Sequence, residues 1–321
     1  VILVTGGTGF LGSTLIRQLL ARGHQLRATK RASSFIPADI ANHHHIQWIT
    51  ADINNFFELE DAFEGVTQVY HSAALVSFEP SEKKALLKVN AEGTAHIVNL
   101  CIQYNARLLH ISSVAAIGEP KPGAIEADEK DIWEFDGTQH GYAISKYEAE
   151  MEVWRGIVEG LNAVIINPSL IIGQQAGHES TGAIFKLLKD GLRYYTAGSA
   201  GLVDVEDVAR AAIVLMERED IYAERFIISN ANMSYRELFS ICANYMGVPA
   251  PHKNATHGML GIAWRAAKVM SWFTGKKPGL TKDTASASLK KQAFSNIKFK
   301  EKLDFNYKPL EKTLKEICEH I

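Results

Sequence analysis

The chain has 321 residues, 46% of them hydrophobic and 22% charged, with 34 Lys and Arg against 36 Asp and Glu for a net charge of −2. This length suits two domains or one large domain with an addition, and the composition excludes a disordered, collagen-like or coiled-coil chain. The balanced charge provides no global field for nucleic acid or an anionic membrane, and no apolar run approaches the ~20 residues of a membrane span, so neither partner is expected.

Val1–Thr5 is a short β-branched apolar run ended by Gly6 and predicts a buried parallel strand. A helix follows, with Leu11, Leu15, Leu19 and Leu20 on one face and Gly23 as its stop. Further strands are predicted at Leu26–Thr29, Trp48–Thr50, Val69–Ala74, Leu108–Ser112 and Val164–Ile166. Helices are predicted between them at Asn55–Phe63, Leu86–Asn105 and Tyr142–Glu159. Strands alternating with helices predict an α/β fold with a doubly wound parallel sheet. Beyond Asn167 the pattern loosens. Phe185–Asp190, Val205–Arg218 and Tyr235–Met246 read as helices, and Ile227-Ile228 as a strand. Gly258–Phe273 reads as an amphipathic helix through Ile262, Ala266, Val269 and Phe273, suited to core or dimer packing more than to a substrate lid. Lys276-Lys277-Pro278-Gly279 reads as a turn.

Cys101, Cys242 and Cys318 are widely spaced, with no CxxC pair and no zinc spacing, which fits a reduced, cytoplasmic protein without a metal site. His43-His44-His45 has no accompanying ligand cluster and reads as a solvated loop. The sequence opens on Val1 with neither signal peptide nor initiator Met, so one or two residues are expected ahead of it.

The turn between the first strand and first helix is Thr5-Gly6-Gly7-Thr8-Gly9-Phe10-Leu11-Gly12. An early glycine permits the tight turn, Gly9 admits a pyrophosphate to the backbone, and Gly12 lets the helix approach the sheet. The helix N-terminus adds N–H groups and a positive dipole end, making Gly6, Thr8, Gly9, Phe10, Leu11 and Gly12 candidate dinucleotide contacts. No Lys-Ser/Thr follows, which excludes an ATPase P-loop. After the second strand, Leu26-Arg27-Ala28-Thr29-Lys30-Arg31-Ala32-Ser33-Ser34 contains no acid to hold the ribose hydroxyls of NAD. Arg31, helped by Lys30 or Ser33, is the candidate for a 2′-phosphate, so NADP(H) is expected over NAD(H).

Tyr142-x-x-x-Lys146 places a phenol and an ammonium on one helix face. The ammonium is expected to lower the phenol's pKa towards the working pH, so that Tyr142 protonates a carbonyl oxygen or deprotonates an alcohol. Ser113, at the end of the fifth strand, faces the ligand crevice and can bind the same oxygen; Ser112 is expected to be a turn or cap residue.

Together these motifs resemble the extended short-chain dehydrogenase/reductases. The resemblance spans nearly the whole chain and implies a Rossmann-type fold with a smaller C-terminal substrate lobe. It implies a dinucleotide domain over 1–173, receiving parts of 202–230, and a substrate lobe over 174–201 and 231–321. It also implies further roles. Asp52-Ile53 would contact adenine. Ala73 and Ala74, within His71-Ser72-Ala73-Ala74, would line the cofactor. Asn90, within Asn90-Ala91-Glu92-Gly93-Thr94, would support the catalytic helix. Pro168-Ser169 would meet the nicotinamide end, and Lys146 would hold the nicotinamide ribose. A homodimer through the helix after Asn90 and the Tyr142 helix is the family's usual assembly.

Within the family, Val114 and Ala115 replace the carboxylic pair of the 4,6-dehydratases. Ala200-Gly201-Leu202 stands where nucleotide-sugar epimerases carry an Arg for the substrate diphosphate, a role open to Arg193 or Arg225. The second-strand segment and His71-Ser72-Ala73-Ala74 look most like the dihydroflavonol-reductase-like subgroup. The expected function is NADP(H)-dependent reduction of a ketone or aldehyde. An epimerase or related isomerase, and a non-catalytic cofactor-binding module, are the alternatives. A pocket is expected from the loops Ile117–Asp136, Gln174–Tyr195 and Asn254–Leu280, with Phe78, Trp133, Tyr194, Tyr195 and Trp272 as candidate linings.

Overall fold

In a computed structural model of the chain, residues 1–137, 139–174, 176, 181–275 and 279–321 are described. The turn expected at 276–279 falls outside them except for Gly279, as do parts of two expected pocket loops. The strands are β1 (Ile2–Thr5), β2 (Leu26–Lys30), β3 (Ile46–Thr50), β4 (Gln68–His71), β5 (Arg107–Ile111), β6 (Ala163–Pro168), β7 (Leu170–Ile172), β8 (Tyr194–Tyr195), β9 (Ser199–Asp204), β10 (Glu224–Ile228), β11 (Ala231–Ser234) and β12 (Lys253–Asn254). The helices are α1 (Phe10–Ala21), α2 (Ala38–Ala41), α3 (Phe56–Glu60), α4 (Lys83–Leu86), α5 (Gly93–Gln103), α6 (Gly141–Val158), α7 (Gly182–Lys189), α8 (Val205–Glu217), α9 (Tyr235–Met246), α10 (His257–Thr274), α11 (Lys282–Ala287), α12 (Ile297–Leu303) and α13 (Leu310–His320).

The main sheet runs β10-β6-β5-β4-β1-β2-β3 and every neighbouring pair is parallel. Successive side chains of β1 serve opposite faces. Ile2 and Val4 join Leu15, Ile16, Val208 and Leu215 of α1 and α8 in one core. Leu3 joins Leu59, Ile97, Val98 and Val153 of α3, α5 and α6 in the other. Covering both faces is why these strands read as continuous apolar runs. The order reverses between β1 and β4, so a crevice opens at the strands' C-terminal ends there. A third core, including Phe185, Leu238, Phe239 and Leu314, packs α7, α9 and α13 on the small sheet β11-β9-β7.

Two departures from the sequence reading shape the crevice. The fourth strand stops at His71, because the Asn90 side chain takes up both the N–H (2.7 Å) and the C=O (2.9 Å) of Leu75 and draws the chain off the ladder. The helix expected over Leu86–Asn105 is interrupted by a π-helical turn at Leu87–Glu92 that carries Asn90. Such turns re-aim a side chain at little loss of helix. The helix read at Gly258–Phe273 is α10, but its core-packing reading is overturned, since none of its residues is buried. No described helix is long and apolar enough to cross a membrane.

Candidate active site

The glycine loop turns at the end of β1, where the Gly9 N–H donates to the Gly6 carbonyl (3.0 Å). Gly6 has φ +68°, and a Cβ there would come within 2.7 Å of the Ala73 backbone. A Cβ on Gly12 would run into the Gly6 carbonyl. No side chain caps α1 and its first turn contains no acid, so its leading N–H groups lie open to an anion at the switch point. The loop therefore fits a dinucleotide's phosphates, with Thr8 and Phe10 half-buried at its rim; the Leu11 side chain is buried in the core, so only its backbone could meet the cofactor.

Beside it, Arg31 and Ser33 are exposed, and among the described residues no ion pair engages Arg31. Lys30 Nζ donates to Thr50 Oγ1 (3.1 Å) across β2 and β3. Arg27, counted by sequence in the same basic run, is turned away: its guanidinium donates to the Ala62 and Glu64 carbonyls, 2.8 Å each. Asp52 accepts from the Asn54 backbone (2.9 Å) and holds the turn after β3, while Ile53 is buried against Gly93. The Ala73 N–H donates to Thr5 Oγ1 (3.2 Å), with Ala74 next to it on the same segment.

Tyr142 and Lys146 lie one turn apart on α6, whose N-terminus is capped by His140 accepting from the Ala143 N–H. Ser113, just beyond β5, accepts from the Ala115 N–H (3.2 Å), and its hydroxyl lies near enough to the Tyr142 phenol to favour the phenolate. The structure thus brings Ser113, Tyr142 and Lys146 together. It corrects the expected ionisation, however. Burial raises the Tyr142 pKa above its ordinary value, and the neighbouring Ser113 hydroxyl only partly offsets this. Lys146 Nζ donates instead to the Ile111 carbonyl (2.9 Å), and burial lowers its pKa to about 8 against the pull of Glu150. Tyr142 is therefore a neutral phenol, able to give a proton.

Beneath this trio lies a carboxylate that the sequence reading missed. Glu150, one turn beyond Lys146 and fully buried, accepts from Ser112 Oγ (2.7 Å), Asn167 Nδ2 (2.8 Å), Arg225 (2.9 Å) and Trp154 Nε1 (3.3 Å). Ser112 is thus a ligand of Glu150 and not a turn cap. Arg225 also donates to the Glu129 and Asp131 carbonyls, so it is not available to a diphosphate. Asn90 Nδ2 donates to Ser145 Oγ (2.9 Å), tying the π-helical turn to α6. The i, i+4, i+8 spacing of Tyr142, Lys146 and Glu150 was the signal that could have revealed this ladder.

His71, read only as part of the segment lining the cofactor, has a structural part as well. Its Nδ1 pairs with Thr5 Oγ1 (2.7 Å) and its Nε2 with Thr94 Oγ1 (2.9 Å). Thr94 Oγ1 donates to the Asn90 carbonyl, which assigns the ring proton to Nε2. Burial, followed by the Lys146 charge, lowers the His71 pKa to about 3, so the ring is a neutral strut between β1, β4 and α5. Of the expected pocket aromatics, Phe78 reaches the site, 5.8 Å from the Tyr142 ring and 5.1 Å from His140. Trp133 stacks instead on Tyr147 (4.3 Å), and Trp272 stands exposed on α10. Tyr194 and Tyr195 form β8, beneath Lys253 and Arg236 respectively. Pro168 ends β6. The Ser169 hydroxyl is buried beside Gly201 and Ser229, with no hydrogen-bond partner.

Comparison with known proteins adds an independent line. The family model described as "NAD dependent epimerase/dehydratase family" matches residues 2–228. A putative dihydroflavonol 4-reductase of Synechocystis is 32% identical over 303 residues, covering 92% of this chain and 87% of that one. Cinnamoyl-CoA reductase 1 of Oryza sativa is 31% identical over 238 residues, 68% of each chain. The crystal structure of gox2253 superposes with a TM-score of 0.84 at 28% identity, covering 100% of this chain and 97% of that one.

Proposed function

The chain belongs to the NAD dependent epimerase/dehydratase family, and from that premise we propose that it is an NADP(H)-dependent reductase of ketones or aldehydes. The observation that carries the reading is the neutral Tyr142 phenol, with Ser113 beside it and Lys146 one turn away, at the C-terminal edge of a parallel sheet beside an uncapped glycine loop. The names of the two reductase relatives support the same reaction class.

When bound, the nicotinamide dinucleotide would supply the hydride. The glycine loop and α1 would hold its phosphates, and Arg31 its 2′-phosphate. Ser113 would orient the substrate oxygen, and Tyr142 would release its phenolic proton to that oxygen as negative charge develops there. General acid catalysis of this kind contributes ~10²–10⁴-fold. Lys146 would bind the ribose side and stabilise the resulting tyrosinate by its charge. Asn90 and Glu150 hold α6 in place and do not touch the reacting atoms.

The engagement of Arg225 removes one of the two cations that could meet a diphosphate and leaves the exposed Arg193 as the one an epimerase would have to use. A screen of ketones and aldehydes for stoichiometric NADPH oxidation tests the proposal. Turnover is expected with NADPH above NADH, and Arg31→Asp should reverse that preference. Tyr142→Phe should abolish turnover while NADPH still binds. Conversion without net NADPH consumption would establish an isomerase, and cofactor binding without any turnover a non-catalytic module.

A further inference from the structure

α10 is an 18-residue helix whose apolar side faces solvent. Ile262, Val269, Met270 and Phe273 are 74%, 54%, 65% and 77% exposed, and Met259 is exposed beside them. A turn every 3.6 residues places these five, with Ala266, on one arc. The half-buried Leu260, Trp264, Ala267 and Ser271 lie on the opposite arc, and α10 rests against α11. Arg265 and Lys268 fall between the two arcs, with Trp272, 82% exposed, beside them. The helix thus has three stripes: one on the protein, one cationic and one apolar.

The surrounding sequence has the same sign. From Leu238 to Lys282 there is no Asp or Glu, whereas Lys253, Arg265, Lys268, Lys276, Lys277 and Lys282 all lie within that span. The chain average of 36 acids in 321 residues would put about five acids there. In a chain of net charge −2, the sequence on either side of α10 is thus one-signed, up to Asp283 at the start of α11. A helix carrying Phe and aliphatic groups on an apolar arc, bordered on one side by Trp, Arg and Lys, suits the boundary of an anionic bilayer: the apolar groups enter the acyl edge while the Trp ring and the cations meet the headgroups.

We propose that α10 docks this protein on the surface of an anionic phospholipid membrane. The sequence-based expectation of no membrane partner rested on span length and net charge, and a helix lying in the interface requires neither. The next helix, α11, opens at Thr281, whose hydroxyl donates to the Phe78 carbonyl (3.1 Å), so the docked helix adjoins the segment that walls Tyr142. Docking does not depend on which carbonyl is reduced.

Co-sedimentation with phosphatidylcholine vesicles containing about 30% phosphatidylglycerol tests the proposal, with pure phosphatidylcholine vesicles as reference. The full chain should partition onto the anionic vesicles, bind the neutral ones far more weakly, and be released by about 0.5 M salt. Each cation near such a surface is worth roughly fivefold, so the Arg265→Gln/Lys268→Gln double variant should bind about 25-fold more weakly. Ile262→Ser/Phe273→Ser should abolish binding, and both variants should keep the parent's melting temperature and far-UV spectrum. No partition of the full chain, or equal partition on both vesicle types, overturns the proposal. It is also overturned if sedimentation velocity shows an oligomer that only the Ile262→Ser/Phe273→Ser variant dissolves, since a second copy would then cover the arc; a dimer built on α5 and α6 would persist in that variant.

Discussion

Replacing Lys146 with Met should stabilise the cofactor-free protein while destroying its activity. Lys146 is 3% exposed and makes one hydrogen bond, to the Ile111 carbonyl at 2.9 Å. Burial moves its pKa from 10.5 to about 8, with the Glu150 carboxylate opposing. A lysine that binds its proton more weakly when folded costs stability in full below the folded pKa. The cost declines as pH rises from about 8 and is gone above the unfolded value of 10.5. That interval, at about 1.4 kcal/mol per pH unit, amounts to ~3 kcal/mol. Methionine fills the stem's volume but loses the hydrogen bond, worth ~1 kcal/mol. A net gain of ~2 kcal/mol is therefore expected below about pH 7, shrinking to zero by about pH 10. Arg225 stays on Glu150, so the substitution leaves no buried carboxylate unpaired. Urea unfolding of both proteins between about pH 6 and pH 10 measures the difference, from which the titrations common to both cancel. A difference independent of pH, or a gain over the parent that is smaller at the acid end than at the alkaline end, would refute the reasoning.

The same geometry sets three other outcomes. Gly12→Ala should weaken NADPH binding at least ~100-fold and destabilise the fold by ~1–3 kcal/mol, because the new Cβ has nowhere to go but the Gly6 carbonyl; fluorescence titration and thermal melts read both effects. Glu150→Gln leaves Arg225 charged and without its carboxylate, so a loss of ~3–5 kcal/mol is expected, together with a downward shift of the kcat/KM pH profile as Lys146 loses the charge that holds its proton. Only a structural role without electrostatic effect would leave that profile in place. In the parent, kcat/KM for reduction should fall as pH rises through about 8, where Lys146 deprotonates, while Tyr142 stays protonated; a flat profile through about pH 9 would contradict the assigned ionisation.

The parallel sheet was legible because its strands are apolar on both faces and its first turn needs glycine. Ser113, Tyr142 and Lys146 were legible because the spacing of one helix and one strand end brings them together. The missed residues act through contacts distant in sequence. The fifth strand was read from Leu108, yet β5 begins at Arg107, whose guanidinium reaches the carbonyls of Leu215, Arg218 and Ile221 at and beyond the end of α8. Nothing local in Arg107-Leu108-Leu109 announces that partner. Glu150 carries no local signal of its partners, because Ser112, Asn167 and Arg225 reach it from just beyond β5, from β6 and from β10. For α10 the periodicity was correct but its environment was not, because period reports which residues share a face and not what that face meets.

The Tyr142 environment also weighs on the direction of the chemistry. An epimerase must take a proton from its substrate and return it within one turnover, which calls for a pKa near the working pH. Burial instead moves Tyr142 further above the ordinary tyrosine value, and the Lys146 ammonium is held by the Ile111 carbonyl at the end of β5. A phenol so placed holds its proton, so the protonated form that reduction starts from is populated and the tyrosinate that oxidation needs is scarce. The reverse oxidation of an alcohol needs the tyrosinate, so it is expected to require alkaline pH. Reduction starts from the form that burial already favours, and Lys146, charged below about pH 8, supplies its electrostatic stabilisation after the proton has left.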